Sequence, residues 1–320
     1  MKQYRKLITL FAAIFILIES AAVFYAVQSS SNDSENIFKP IQVVRLGILP
    51  DVSQKYSHNY WRSFVAQFKD EEDGFIIETY IAHTYSELLS GFVNGSLDLI
   101  YVNPATYHQL ESEHELVPIA SERLTEGDMD KNRCVLVTNK EVEFLNQTKG
   151  LRLTFVDKFS LSGYIVPYNS LMKSLSPNTI SEWFSEISYA PTKSQAFINM
   201  INDETDIIAT DRLALMRIID YLQCSDSGFT ELWLSRMMPE ALLCCFKTFS
   251  DKNIAVMTAI NNVILKHSQK MKQVDSAKIA FAPIENSYTY QERLSGLKKY
   301  IDNLKFGQKR SNVLMGIGGE

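Results

Sequence analysis

Beyond Ile41 the chain alternates apolar runs of strand length with segments whose apolar residues recur every three or four positions, and that alternation predicts an α/β protein. Val43 to Leu49 reads as the first strand. Tyr60, Trp61, Phe64, Val65 and Phe68 fall on one helical face, Phe75 to Ile81 forms a second strand and Tyr85 to Val93 a short helix. Leu97 to Val102 and Cys134 to Thr138 read as further strands. A second series follows. Leu151, Leu153 and Phe155 alternate with polar residues, Tyr164 to Leu175 reads as a helix, Ile187 to Tyr189 as a strand, and Ala196, Phe197, Met200 and Ile201 as a helix face. Asp206 to Thr210 and Leu232 to Leu234 are the next strands. After Pro239 the pattern turns mostly helical, most clearly over Ile254 to His267. Tyr290, Leu294, Leu297, Ile301 and Leu304 make a stripe too short for a coiled-coil seam, so it is read as docking onto its own lobe.

The N-terminus has a different pattern. Lys2, Arg5 and Lys6 precede an apolar run from Leu7 to Ile18, which resumes after Glu19 and Ser20 from Ala21 to Val27. This is an export signal. Ser20 and Ala22 sit where small residues precede a cleavage site, whereas Leu7 to Val27 is also long enough to span a bilayer as an anchor. Both fates remain open, and under either the basic residues leave the rest of the chain outside, in the periplasm or tethered to the inner membrane facing it. No cysteine precedes Cys134, which excludes lipoprotein anchoring. Gln28 to Asn36 has the polar composition of a tether.

At 320 residues, with 46% apolar and 22% charged residues, the chain has room for two lobes, each with its own core. A net charge of -5 argues against nucleic acid as a partner, since phosphate backbones require a basic face. The four cysteines, Cys134, Cys224, Cys244 and Cys245, lack metal-site spacing and allow three full pairings, and for at least two of them buried apolar packing is the simpler reading. The histidines show no ligand spacing and Ser162 has no nucleophile-elbow frame, so neither a metal, a cofactor nor an enzymatic activity is expected.

Four stretches together resemble one family. They are Val44 to Pro50 (VRLGILP), Tyr85 to Pro104 (YSELLSGFVNGSLDLIYVNP), Phe159 to Pro167 (FSLSGYIVP) and Leu232 to Pro239 (LWLSRMMP). Their order is similar to that of the PhnD-like phosphate and phosphonate-binding proteins, the periplasmic components of ABC importers, from about Val43 to about Tyr300. The resemblance implies a two-lobed periplasmic binding protein fold of type II, each lobe a sheet flanked by helices, following the N-terminal signal or anchor. The implied organisation is residues 1–27 signal or anchor, 28–40 linker, 41–139 plus 239–306 lobe one, 140–238 lobe two and 307–320 tail, with a hinge near Val137 and Leu234. The implied partners are a small ligand, an oxyanion by family, and an ABC permease. A membrane kinase, cyclase or chemoreceptor is the alternative recipient of the same closure.

Ser160 and Ser162 lie between a strand and a helix, where hydroxyls and first-turn N–H groups can converge on an anion. The bland alternative is that Ser162 merely caps the helix. Gly163 would let a ligand approach closely. By resemblance Tyr85 contacts ligand and Tyr101 presents a ring to the cleft, although each also suits a core. Asn103 is a polar contact or a turn former. The pattern departs from the family at Leu161, which stands in place of a hydroxyl residue, at Lys193, in place of a histidine, and at Leu213, in place of a carboxylate. Lys193 would compensate as a cation at a helix start, with Thr192 or Ser194 beside it. Asp211 is read as a helix cap, near the family's acidic position without coinciding with it.

Overall fold

The structure, a computed structural model, describes residues 41–49, 53–68, 74–124, 131–225, 228–270, 281–284 and 295. The export segment, the tether and the stripe from Tyr290 to Leu304 lie outside the described residues. In chain order the elements are β1 (Gln42–Ile48), α1 (Gln54–Val65), β2 (Phe75–Ile81), α2 (Tyr85–Val93), β3 (Leu99–Val102), α3 (Pro104–Glu111), β4 (Leu116–Glu122), β5 (Arg133–Thr138), β6 (Arg152–Val156), α4 (Val166–Ser174), α5 (Ile180–Trp183), β7 (Glu186–Ala190), α6 (Lys193–Ile201), β8 (Ile207–Asp211), α7 (Arg212–Leu222), β9 (Thr230–Met237), β10 (Leu242–Phe246), α8 (Lys247–Lys252), α9 (Ile254–Lys270) and β11 (Phe281–Pro283).

Among the described residues these strands form two sheets, one of six strands ordered β11-β4-β10-β3-β1-β2 and one of five ordered β7-β6-β8-β5-β9. Each has a parallel part, β1 with β3 in the first and β7, β6 and β8 in the second. Antiparallel strands complete both, with β10 joining β3 to β4 and β5 joining β8 to β9. Helices cover both faces. On one side of the first sheet Val44, Leu46 and Ile48 pack with Trp61 and Phe64 of α1 and Ile260 of α9, and on the other Ile100 and Val102 pack with Leu88 and Phe92 of α2. The second sheet is enclosed in the same way, and every residue of β8 is buried. A strand covered on both faces carries a continuous apolar run instead of alternation.

Two expectations need correcting. The chain after Pro239 is not mostly helical at first, because Leu242 to Phe246 forms β10, an interior strand of the first sheet. Its residues alternate between two cores, with Leu243 and Cys245 in one and Leu242 and Cys244 in the other. The lobe boundary expected at 139/140 also lies earlier. β5 is hydrogen-bonded between β8 and β9, so the chain first passes between sheets in the stretch from Glu122 to Arg133 and returns between Met237 and Leu242. Val135 pairs with Leu234 inside the second sheet, which moves the crossings away from Val137 and Leu234. Cys134, Cys224, Cys244 and Cys245 are free thiols, and all but Cys224 are buried.

Candidate functional site

A cavity of about 120 Å³ lies where the carboxyl ends of parallel strands from both sheets face each other. Leu49 follows β1, Val102 and Asn103 close β3, Ser162 follows β6 and Asp211 ends β8, while Leu124, Asn132, Met238 and Pro239 line it from the two crossings. Strand ends of this kind expose the starts of the following helices, and with them N–H groups not yet used in intrahelical bonds. Such a space holds a compact ligand or a few waters.

Each helix start has a local cause. Thr84 caps α2 by accepting the Glu87 N–H, Asn103 caps α3 by accepting those of Ala105 and Thr106, and Thr192 caps α6 through Gln195. After β6 the chain makes a π-helical turn over Leu161–Ile165 before α4. Ser160, not Ser162, is the cap here, and its Oγ accepts the Gly163 N–H at 3.1 Å. Gly163 is required by packing, because a Cβ at that position would meet Val156 Cβ at 2.4 Å and Ser160 Oγ at 2.9 Å. Neither Ser160 nor Gly163 borders the cavity, whereas Ser162, Tyr85, Tyr101, Asn103 and Lys193 do.

The second-lobe wall is built around Asp211. Its Oδ1 accepts the Ala214 N–H at 2.7 Å, capping α7 as read from the sequence. Its Oδ2 accepts from Ser162 Oγ at 2.9 Å and from the Lys193 ammonium at 2.8 Å. Burial opposes ionisation of Asp211, yet the charge and hydrogen bond of Lys193, together with the Ala214 N–H and Ser162, outweigh it and hold the carboxyl below its usual range. Lys193 is therefore a largely buried ion-pair partner, with a side-chain exposure of 18%.

The facing wall carries a second ion pair, which the sequence reading did not single out. Tyr60 and Tyr101 both donate their hydroxyls to Glu122 at the end of β4. Arg217 reaches across from α7, donating to Tyr60 Oη at 2.9 Å, with its guanidinium carbon 4.8 Å from the Tyr60 ring centre and Nη2 3.9 Å from Glu122. Arg217 and Glu122 thus tie one lobe to the other, and both border the cavity. The signal for Arg217 was present, since it interrupts the stripe Leu213, Ala214, Ile218 on an otherwise apolar helix face.

Asn103 Nδ2 and Thr106 Oγ1 donate to the Phe159 carbonyl at 2.9 and 3.1 Å, and the Phe159 ring stacks on Tyr85 at 6.3 Å, so the loop after β6 is fastened to the first lobe. Tyr101 packs edge-on against Trp61 at 5.0 Å and presents only its hydroxyl end toward Glu122. Leu161 borders the cavity, and its side chain offers it no donor. Among the described residues no group of three or more His, Cys, Asp or Glu side chains is placed to hold a metal, and no helix is long and apolar enough to cross a membrane.

The sequence model described as the periplasmic substrate-binding protein of a phosphonate ABC transporter matches residues 46–284. Among solved structures, PhnD1 from Prochlorococcus marinus (MIT 9301) in complex with methylphosphonate matches with a TM-score of 0.67 and 17% identity, over 82% of this chain and 98% of that one. A binding protein component of an ABC phosphonate transporter from Pseudomonas aeruginosa matches with a TM-score of 0.64 and 14% identity, over 83% and 96%. A protein from Xanthomonas citri bound to ATP matches with a TM-score of 0.61 and 15% identity, over 84% and 100%. No protein of curated function matches the sequence. At these identities the neighbours establish the two-lobed fold, and their ligands differ.

Proposed function

The chain belongs to the family of periplasmic substrate-binding proteins of phosphonate ABC transporters, and from that premise we propose that it captures a small phosphate- or phosphonate-like oxyanion between its lobes and presents the closed form to an ABC permease. One observation carries the reading. Helix starts from both lobes, with Lys193 and Arg217 beside them, border a single compact cavity. The solved neighbour in complex with methylphosphonate makes that compound the natural first ligand.

In this reading the Ser162 hydroxyl turns from Asp211 to the oxyanion and, with Lys193, holds it from the second lobe, while Tyr85 and the edge of Tyr101 complete the wall on the first. Asn103 keeps the Phe159 loop in place, and Ser160 and Gly163 shape the turn that aims Ser162. Ligand bound to both walls favours the closed arrangement over the open one, and that difference is what a permease can read. The basic and then apolar N-terminus supports export, by cleavage or as an anchor.

Calorimetric titration of the purified protein with methylphosphonate, phosphite and phosphate tests the proposal. At least one should bind, and Ser162→Ala should weaken it by about tenfold, the effect of losing one hydrogen bond to a charged group. Absence of heat with all three would overturn it.

A further inference from the structure

The bridge through Arg217 does not stand alone. Tyr60 Oη accepts from Arg217 at 2.9 Å and donates to Glu122 at 3.0 Å, so one phenol links a cation of the second lobe to a carboxylate of the first. One turn away on each helix the contact repeats. Tyr56 of α1 stacks on Tyr60 with ring centres 5.9 Å apart and meets Tyr221 of α7 edge-on at 6.1 Å. Arg217 with Tyr60, and Tyr221 with Tyr56, therefore pair α1 and α7 in antiparallel order, through positions that share a face on each helix. Tyr56 also packs against the cores of both sheets, and the Arg217 and Glu122 side chains are largely buried, at 12% and 10% exposure.

All of these groups belong to the chain, so their contacts favour apposed lobes whatever occupies the cavity. Opening would return Arg217 and Glu122 to water, which offsets much of their mutual attraction. The rings gain no such compensation from water, so the Tyr56 contact with Tyr221 and the seat of Arg217 on the Tyr60 ring decide the sign. Tyr56, Tyr60 and Tyr221 do not border the cavity. We propose that this α1–α7 face is a latch, whose tyrosines lower the cost of closing the lobes and so set ligand affinity without touching the ligand. A ligand then supplies only the rest of the closing free energy, because apparent affinity scales with the population of the binding-competent form. The inference rests on lobe closure as read above and is independent of which ligand enters.

Two mild variants test it. Tyr60→Phe keeps the buried ring and removes only the linking hydroxyl, and Tyr221→Ala removes a ring that is 44% exposed. In small-angle X-ray scattering of the purified protein without ligand, the double variant should show a larger radius of gyration than the native protein, and saturating methylphosphonate should bring the two to the same value. In titrations with methylphosphonate, Tyr60→Phe should weaken binding about tenfold and Tyr221→Ala about fivefold, mainly through faster dissociation. With Arg217→Met already in place, Tyr60→Phe should cost no more than about twofold further, since the hydroxyl then has no cation to link. Equal radii of the native and variant proteins without ligand would overturn the latch, as would native affinity in both single variants. Should the double variant fail to fold, Tyr221→Ala alone decides by the same scattering comparison. Failure of methylphosphonate to bind the native protein would count against the oxyanion reading alone, because the comparison without ligand still decides the latch.

Discussion

Asp206 and Asp211 stand at opposite ends of one buried strand, and both hold cations. Asp206 meets Arg152 at 2.8 Å and Lys140 at 3.2 Å, at the end of β8 away from the cavity. Asp211 meets Lys193 and Ser162 at the carboxyl end, on the cavity wall. The two clusters share their chemistry of charge, although the cations of Asp206 are more exposed, at 31% and 34%, than Lys193 at 18%. The difference lies in what each faces. The cations of Asp206 fasten the start of β6 and the turn after β5 to the start of β8, whereas Lys193 beside Asp211 occupies the position where helix starts from two lobes converge. Perturbed ionisation alone does not separate a strut from a binding residue, and position in the fold does.

Removing one partner from each cluster should widen the contrast. Lys193→Met leaves the Asp211 carboxylate buried with only Ser162 and one N–H, and should cost about 3 kcal/mol in a urea unfolding experiment. Adding Asp211→Asn should restore most of it, and no recovery in the double variant would break the claimed pairing. Arg152→Met should cost less, because Lys140 and the Arg152 N–H still hold Asp206.

Acid titration gives the next effect. Arg152 first, through its hydrogen bond, lowers the Asp206 carboxyl to about 2. A folded value below the unfolded one, about 3.9, means that the carboxylate's contribution is complete above about pH 5 and is lost as pH falls through about 2. Asp206→Asn should therefore remove on the order of 1 kcal/mol at neutral pH, the shift being discounted for the solvent that reaches its cations, and make the acid limb of the stability curve shallower. An acid limb of unchanged slope would contradict the pairing.

Two smaller substitutions separate shaping from binding within the turn after β6. Gly163→Ala forces a methyl against Val156 and should destabilise by about 2 kcal/mol, read as a lower Tm. Ser160→Ala loses only the cap and should cost about 1 kcal/mol with ligand affinity nearly unchanged. A large affinity loss with Ser160→Ala would move that hydroxyl into the binding wall.

The fold was legible where burial is one-sided or local signals are strong. Phe75 to Ile81 and Tyr85 to Val93 have the bounds their patterns predict. β10 was not legible, because five consecutive apolar residues in a strand buried on both faces look no different from a buried helix segment. The site divides in a similar way. The capping role of Asp211 is local and readable, since a carboxylate precedes a helix. Its hold on Lys193 and Ser162 depends on three separate strand ends meeting, and the Arg217, Tyr60 and Glu122 bridge depends on one lobe meeting the other. Pairings of that range leave no spacing pattern in the chain.

The most direct measurement is a crystal structure of the protein with methylphosphonate. The compound should lie in the cavity between Ser162 and Lys193 on one side and Tyr85 on the other. Electron density for the compound anywhere other than the gap between the two sheets, or a gap that stays closed to it at saturating concentration, would contradict the central claim.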